Sequence, residues 1–171
     1  MEWKAFELKA GTPPEGLPKP FKEGETAELR GHMKEAAEAA GLQRMKRQQI
    51  VPYTIPAFEG AEFAKAQGKF NKYHKAIFKS FWEESKNIGE KEVLQKVFEE
   101  CDLDWEIFNE PEGKKRYREQ VNDQLNQASI FGISGVPAFV LDRYLISGAQ
   151  PYEVFQNVME QIYKEQRQKG P

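Results

Sequence analysis

Thiols, imidazoles and hydroxyls are the side chains with which a chain like this one would do covalent chemistry, and here they are few and scattered. There is one cysteine, Cys101, and there are two histidines, His32 and His74. A single thiol makes no intramolecular disulfide, no Cys-x-x-Cys pair and no thiolate cluster. Cys101 follows Val93, Leu94, Val97 and Phe98 on the apolar side of a helical pattern, where a cysteine is inert packing. His32 beside Glu35 lacks a second histidine at ligand spacing, so no metal is expected. His74 lies on an aromatic face and reads as a core or boundary histidine. Ser80, Ser85, Ser129, Ser134 and Ser147 have no G-x-S-x-G context, so serine hydrolysis is not indicated. There is no glycine-rich phosphate loop, and no cofactor is expected. The basic run GKKRYR at 113–118 has acidic residues close on both sides and reads as a solvated helix face.

The stretch with the most specific pattern is FGISGVPAFVLDRYLISGAQPYEVF, residues 131–155. A proline at the mouth of a strand removes a backbone donor and is tolerated at an edge or in a cis turn. With Val136–Pro137 trans, the usual state, Pro137 simply begins a strand. With it cis, the carbonyl and amide of Val136 turn toward solvent, free to pair with an extended peptide. Glycines at 132 and 135 leave the backbone open to close approach.

The elements that must position this segment follow from periodicity. Ala138–Leu141 and Tyr144–Ile146 read as strands joined at Asp142-Arg143, a poor pair for a turn that needs positive φ at both residues. Pro151 opens a last helix, whose Val154, Phe155, Val158, Met159, Ile162 and Tyr163 face the sheet. EWKAFEL, residues 2–8, reads as a strand by alternation and aromatic content. AGTPPEGLPKPFKEGE is an extended surface loop and IVPYTIP, 50–56, a connector. Thr26 is expected to cap a helix that runs to Ala40, with Leu29, Met33, Ala36, Ala37 and Ala40 inward and Gly41 as its stop. A short helix is expected over 57–67. Residues 70–85 carry Phe70, Tyr73, His74, Ile77, Phe78, Phe81 and Trp82 at helical spacing, a wide aromatic face. Helices are also expected over 90–101 and 111–130, with a turn at 104–109 that points Trp105 and Phe108 inward. The 111–130 helix carries Tyr117, Val121, Leu125 and Ala128 and stops at Gly132.

Length and charge bound the rest. At 171 residues the chain suits one domain, or one domain with a large insertion. A net charge of −2 gives no footprint of a nucleic-acid binder. No run of 18 apolar residues is present, so no membrane span is expected. MEWKAFELKA has no basic region followed by an apolar stretch, so a cytoplasmic location is the default.

GISGVPAFVLDRYLISGAQP followed by an amphipathic helix resembles the C-terminal half of DsbA-like thioredoxin-fold proteins, and within them the FrnE-type dithiol oxidoreductases. EWKAFELKAGTPPEG resembles that branch's second strand and following loop, and AKAQGKFNKYHKAIFKSFWEESKNIGEKEVL the heart of its helical insertion. The resemblance covers almost the whole chain. It implies an α/β fold with a thioredoxin-like part at 1–25 and 130–171 and an all-helical insertion at 26–129. It also implies a cis Val136–Pro137 that faces redox cysteines, with Gly135, Val136 and Pro137 shaping the groove for a thiol or peptide substrate.

The departure from the family is as informative. Its members begin with a strand and a Cys-x-x-Cys at a helix tip before the strand that EWKAFEL resembles, and these residues hold no counterpart. The expected fold is therefore an incomplete thioredoxin-like sheet with strands at both ends of the chain, with no catalytic residue and no dithiol activity of its own. A fragment, a reading frame begun at an internal methionine and a cysteine-free paralogue all fit. Bare sheet edges must find partners, so either EWKAFEL pairs with 138–141 or a homodimer forms through the exposed edge. Two other functions fit the architecture: a non-catalytic peptide-binding module, and a relative of kappa-type glutathione transferases and 2-hydroxychromene-2-carboxylate isomerases.

Overall fold

The computed structural model describes residues 1–168; the end of the expected 130–171 part, residues 169–171, lies outside them. The chain divides into two compact units, Lys9–Asn122 and Met1–Leu8 with Asp123 onward, and the boundary falls within one long helix. No helix among the described residues is long and apolar enough to cross a membrane.

The larger unit is helical. In chain order it holds β1 (Leu17–Pro18), α1 (Gly31–Ala39), β2 (Ile50–Val51), α2 (Ile55–Ala66), α3 (Phe70–Phe78), a π-turn (Lys79–Glu83), α4 (Lys91–Glu100), α5 (Trp105–Asn109) and the start of α6 (Pro111–Ile130). Its core is aromatic. Phe63 and Phe98 stack at 5.7 Å, and Tyr73 and Trp105 meet Phe98 edge-on at 5.7 and 5.0 Å. Phe63, Tyr73, Leu94, Val97, Phe98 and Phe108 are almost wholly buried, and a buried side chain of this size contributes roughly 1.5–3 kcal/mol through lost apolar exposure. Packing is close enough to require a glycine. A Cβ on Gly60 would lie 2.9 Å from Tyr73 Cζ and 3.0 Å from Phe98. The Tyr73 hydroxyl beside it donates to the Ala57 carbonyl at 2.9 Å.

The aromatic run at 70–85 is not one regular helix. After Phe78 the chain winds through the π-turn, which holds one residue more per turn than an α-helix. The buried face rotates with it: Tyr73, Ile77 and Ser80 are buried, Phe78 is exposed, and Phe81 and Trp82 are half-buried. The expected stripe is corrected at Phe78, which is exposed, whereas Phe81 packs against the core.

Three further expectations change. The helix expected from Thr26 begins at Gly31: Arg30 before it is extended, at φ −131° and ψ 154°, and the Ala27 carbonyl accepts from Arg47 N–H at 2.7 Å. Of its expected stripe, Leu29 and Ala37 are buried and Met33 is exposed. The two proline-bearing segments read as loop and connector meet in a short antiparallel bridge, Leu17 opposite Val51. EWKAFEL forms no strand: β3 (Ala138–Leu141) pairs with β4 (Tyr144–Ser147) alone, in a two-stranded sheet. A strand exists only against a neighbour, and residues 2–8 meet α6 instead.

The smaller unit holds Met1–Leu8, the end of α6, the β3–β4 hairpin and α7 (Tyr152–Gln168). Phe139 stands opposite Ile146 in the ladder. Phe139 meets Phe155 of α7 edge-on at 4.9 Å, and Ile146 and Ile162 are buried. Val140 and Leu145, paired on the opposite face, stay 41% and 39% exposed.

Candidate functional site

The site expected at Gly135, Val136 and Pro137 sits between the end of α6 and the start of β3. Gly132, at φ 67°, stops α6. Its amide reaches Ser129 at 3.0 Å and the Ile133 amide reaches Ala128 at 2.9 Å, the paired bonds of a Schellman end. The chain then turns through Ser134 and Gly135 to a cis Val136–Pro137 bond. A Cβ on Gly135 would meet nothing within 4 Å, so the space beside it is open.

The proline is anchored on one side. Its carbonyl accepts from Gly148 N–H at 2.8 Å, which extends the β3–β4 ladder by one more bond. Gly148 has φ 82°, and the Gln150 side chain donates to the Ser147 carbonyl at 2.9 Å. Ser-Gly-Ala-Gln-Pro therefore ties the end of β4 to the loop at the mouth of β3 and leads into α7. Val136 is 55% exposed and Pro137 is exposed. At the other end of the hairpin, Asp142 alone takes positive φ, 54°, so Arg143 is spared that conformation. Arg143 instead pairs with Glu165 of α7 at 2.5 Å, and the Tyr144 hydroxyl donates to the same carboxylate at 2.7 Å.

The surface at Gly135–Pro137 is backbone and a small apolar ridge, and these three residues carry no acid, base or nucleophile. Cys101 belongs to the helical unit and has no exposed surface. Burial pushes its thiol above the ordinary range, against the pull of the Lys72 ammonium. Thiolate character, which exchange chemistry requires, is thus suppressed. His74 lies between Phe70 and Phe78, ring centroids 5.3 and 4.5 Å away, and burial lowers its pKa. His32 pairs with Glu35 on the surface at 3.7 Å. No group of three His, Cys, Asp or Glu among the described residues could hold a metal ion.

Sequence reasoning passed over Glu59. It is 1% exposed, and its carboxylate accepts from the Arg118 guanidinium. That bond, ahead of the opposing desolvation, raises the Arg118 pKa. The signal was available: a glutamate inside the apolar run Ile55-Pro-Ala-Phe-Glu-Gly-Ala needs a cation to pair with.

A β-hairpin headed by a cis proline and backed by one helix, with a helical unit ahead of it in sequence, is an arrangement that thioredoxin-type folds contain. The model of the DSBA-like thioredoxin domain matches residues 1–160, and the chain belongs to that family. A probable DsbA oxidoreductase from Streptomyces coelicolor is similar at 28% identity with a TM-score of 0.65, over 77% of this chain and 57% of that one. A candidate protein disulfide isomerase from Nitrosomonas europaea shares the fold at 18% identity and a TM-score of 0.57, over 83% and 79% of the two chains. The uncharacterised protein YwbO of Bacillus subtilis is 33% identical over 114 residues, 66% of this chain and 57% of YwbO. The chain thus spans 57% of the length of YwbO and of the Streptomyces protein.

Proposed function

We propose that this chain serves thiol–disulfide oxidoreduction of the FrnE type, with Gly135, Val136 and Pro137 lining the groove that receives a thiol or an extended peptide. The observation that carries the reading is the exposure of Val136 and Pro137 at the head of β3 while the Pro137 carbonyl is fixed to Gly148. In this reading residues 1–25 and 130–171 serve as the thioredoxin-like part and 26–129 as the insertion. Exchange proceeds when a thiolate attacks a disulfide sulfur, forming a mixed disulfide and releasing one thiol, and a second thiolate then resolves it. These 171 residues contain one thiol, buried at Cys101, so the reacting pair comes from outside them. The residues in hand hold substrate and do not carry the electrons.

Insulin reduction tests this. With dithiothreitol present, the chain alone should precipitate insulin no faster than dithiothreitol does. Joined to a strand and helix that carry Cys-x-x-Cys, it should accelerate precipitation, and Val136→Asp should reduce that gain. A joined protein that stays inactive removes the oxidoreductase reading.

A second reading is favoured by one observation: β3 is paired on one side only, beside exposed Val136. An extended peptide would add there as a strand, with no chemistry. Binding of an unfolded peptide by the chain alone, lost in Val136→Asp, together with an inactive joined protein, selects this reading. A second copy at the same edge would appear as a concentration-dependent dimer in sedimentation.

A further inference from the structure

Gln124 is a long polar side chain on α6 with 7% of its surface exposed. Its Oε1 accepts the backbone N–H of Ala5 at 2.6 Å, a bond that joins residues 119 positions apart. Ala5 is 8% exposed and is the buried residue of Met1–Leu8; Trp3 and Leu8 on either side are 48% and 69% exposed. The segment is thus pinned where its backbone meets the Gln124 amide.

We propose that Gln124 is the positioning residue that holds Met1–Leu8 on α6, its side-chain oxygen standing where the carbonyl of a neighbouring strand would stand. The Ala5 N–H is thereby closed to any other acceptor. A helix thus covers the backbone donor of Ala5, as helices cover bare sheet edges elsewhere. The inference does not depend on the oxidoreductase reading.

Amide exchange by NMR tests it on the intact chain. In the wild type, Ala5 should be the slowest-exchanging amide of residues 2–8. Gln124→Leu keeps the bulk and removes the acceptor; Ala5 exchange should rise about tenfold, the factor expected for one buried hydrogen bond. Gln124→Glu keeps an acceptor oxygen and should bring Ala5 back near the wild-type rate. The proposal is overturned if wild-type Ala5 exchanges as fast as Lys4 and Phe6. It is equally overturned if Gln124→Leu leaves Ala5 unchanged, or if Gln124→Glu restores no more protection than Gln124→Leu. Should Gln124→Leu fail to fold, the wild-type comparison still decides.

Discussion

Cys101 ends α4 with no exposed surface and a thiol held protonated by burial. An aromatic disulfide reagent at pH 8 should therefore leave the native protein unlabelled over minutes and take up one equivalent once guanidinium is added. Rapid native labelling would return Cys101 to the list of redox candidates. Its burial was readable from its place in the apolar stripe. The same reasoning located Pro137, because glycines and a strand pattern surround it. Gln124 and Gln150 could not be found that way. Each matters through one backbone partner, Ala5 N–H and the Ser147 carbonyl, that only the folded chain brings to it.

Between elements, the Glu59–Arg118 pair joins α2 to α6. The two partners differ in burial: the Glu59 side chain is 1% exposed and that of Arg118 is 43% exposed. Arg118→Met strands a carboxylate away from water and should cost about 3 kcal/mol, the low end for a broken buried pair. Glu59→Gln leaves Arg118 an acceptor and access to solvent, and should cost about 1 kcal/mol. The double variant should recover part of the Arg118→Met loss, as urea denaturation of the three proteins would show; equal losses in both single variants would contradict the asymmetry. At this scale the helices of the aromatic core were legible, since Leu94, Val97 and Phe98 repeat at helical spacing and are buried. The π-turn was not, because Phe81 and Trp82 continue the spacing while the backbone beneath them does not. Nor was the late start of α1, where Arg30 is extended and the preceding segment bonds Arg47, far along the chain.

Across the whole chain, apolar burial is uneven. The helical unit buries Phe63, Tyr73, Leu94, Phe98 and Phe108, whereas the other unit buries Ala5, Ala128, Ile146 and Ile162. Local opening is easiest where buried apolar contact is sparse. Amides of β3 and β4, such as Phe139 and Ile146, should therefore show protection at least about 2 kcal/mol below those of Leu94, Val97 and Phe98. Equal protection by hydrogen exchange would mean that the two units open together. The α/β class and the family were legible from GISGVPAFVLDRYLISGAQP and the helix after it, where turn residues and strands sit close together in sequence. The fate of EWKAFEL was not, because strand pairing depends on a neighbour that a local pattern cannot supply. The extra residue wound into Lys79–Glu83 reaches further than its own turn. Aligning this chain with a relative whose helix is straight there requires a one-residue gap at that point. An alignment that forbids the gap rotates each later helical position by about 100°, so that exposed and core residues exchange columns.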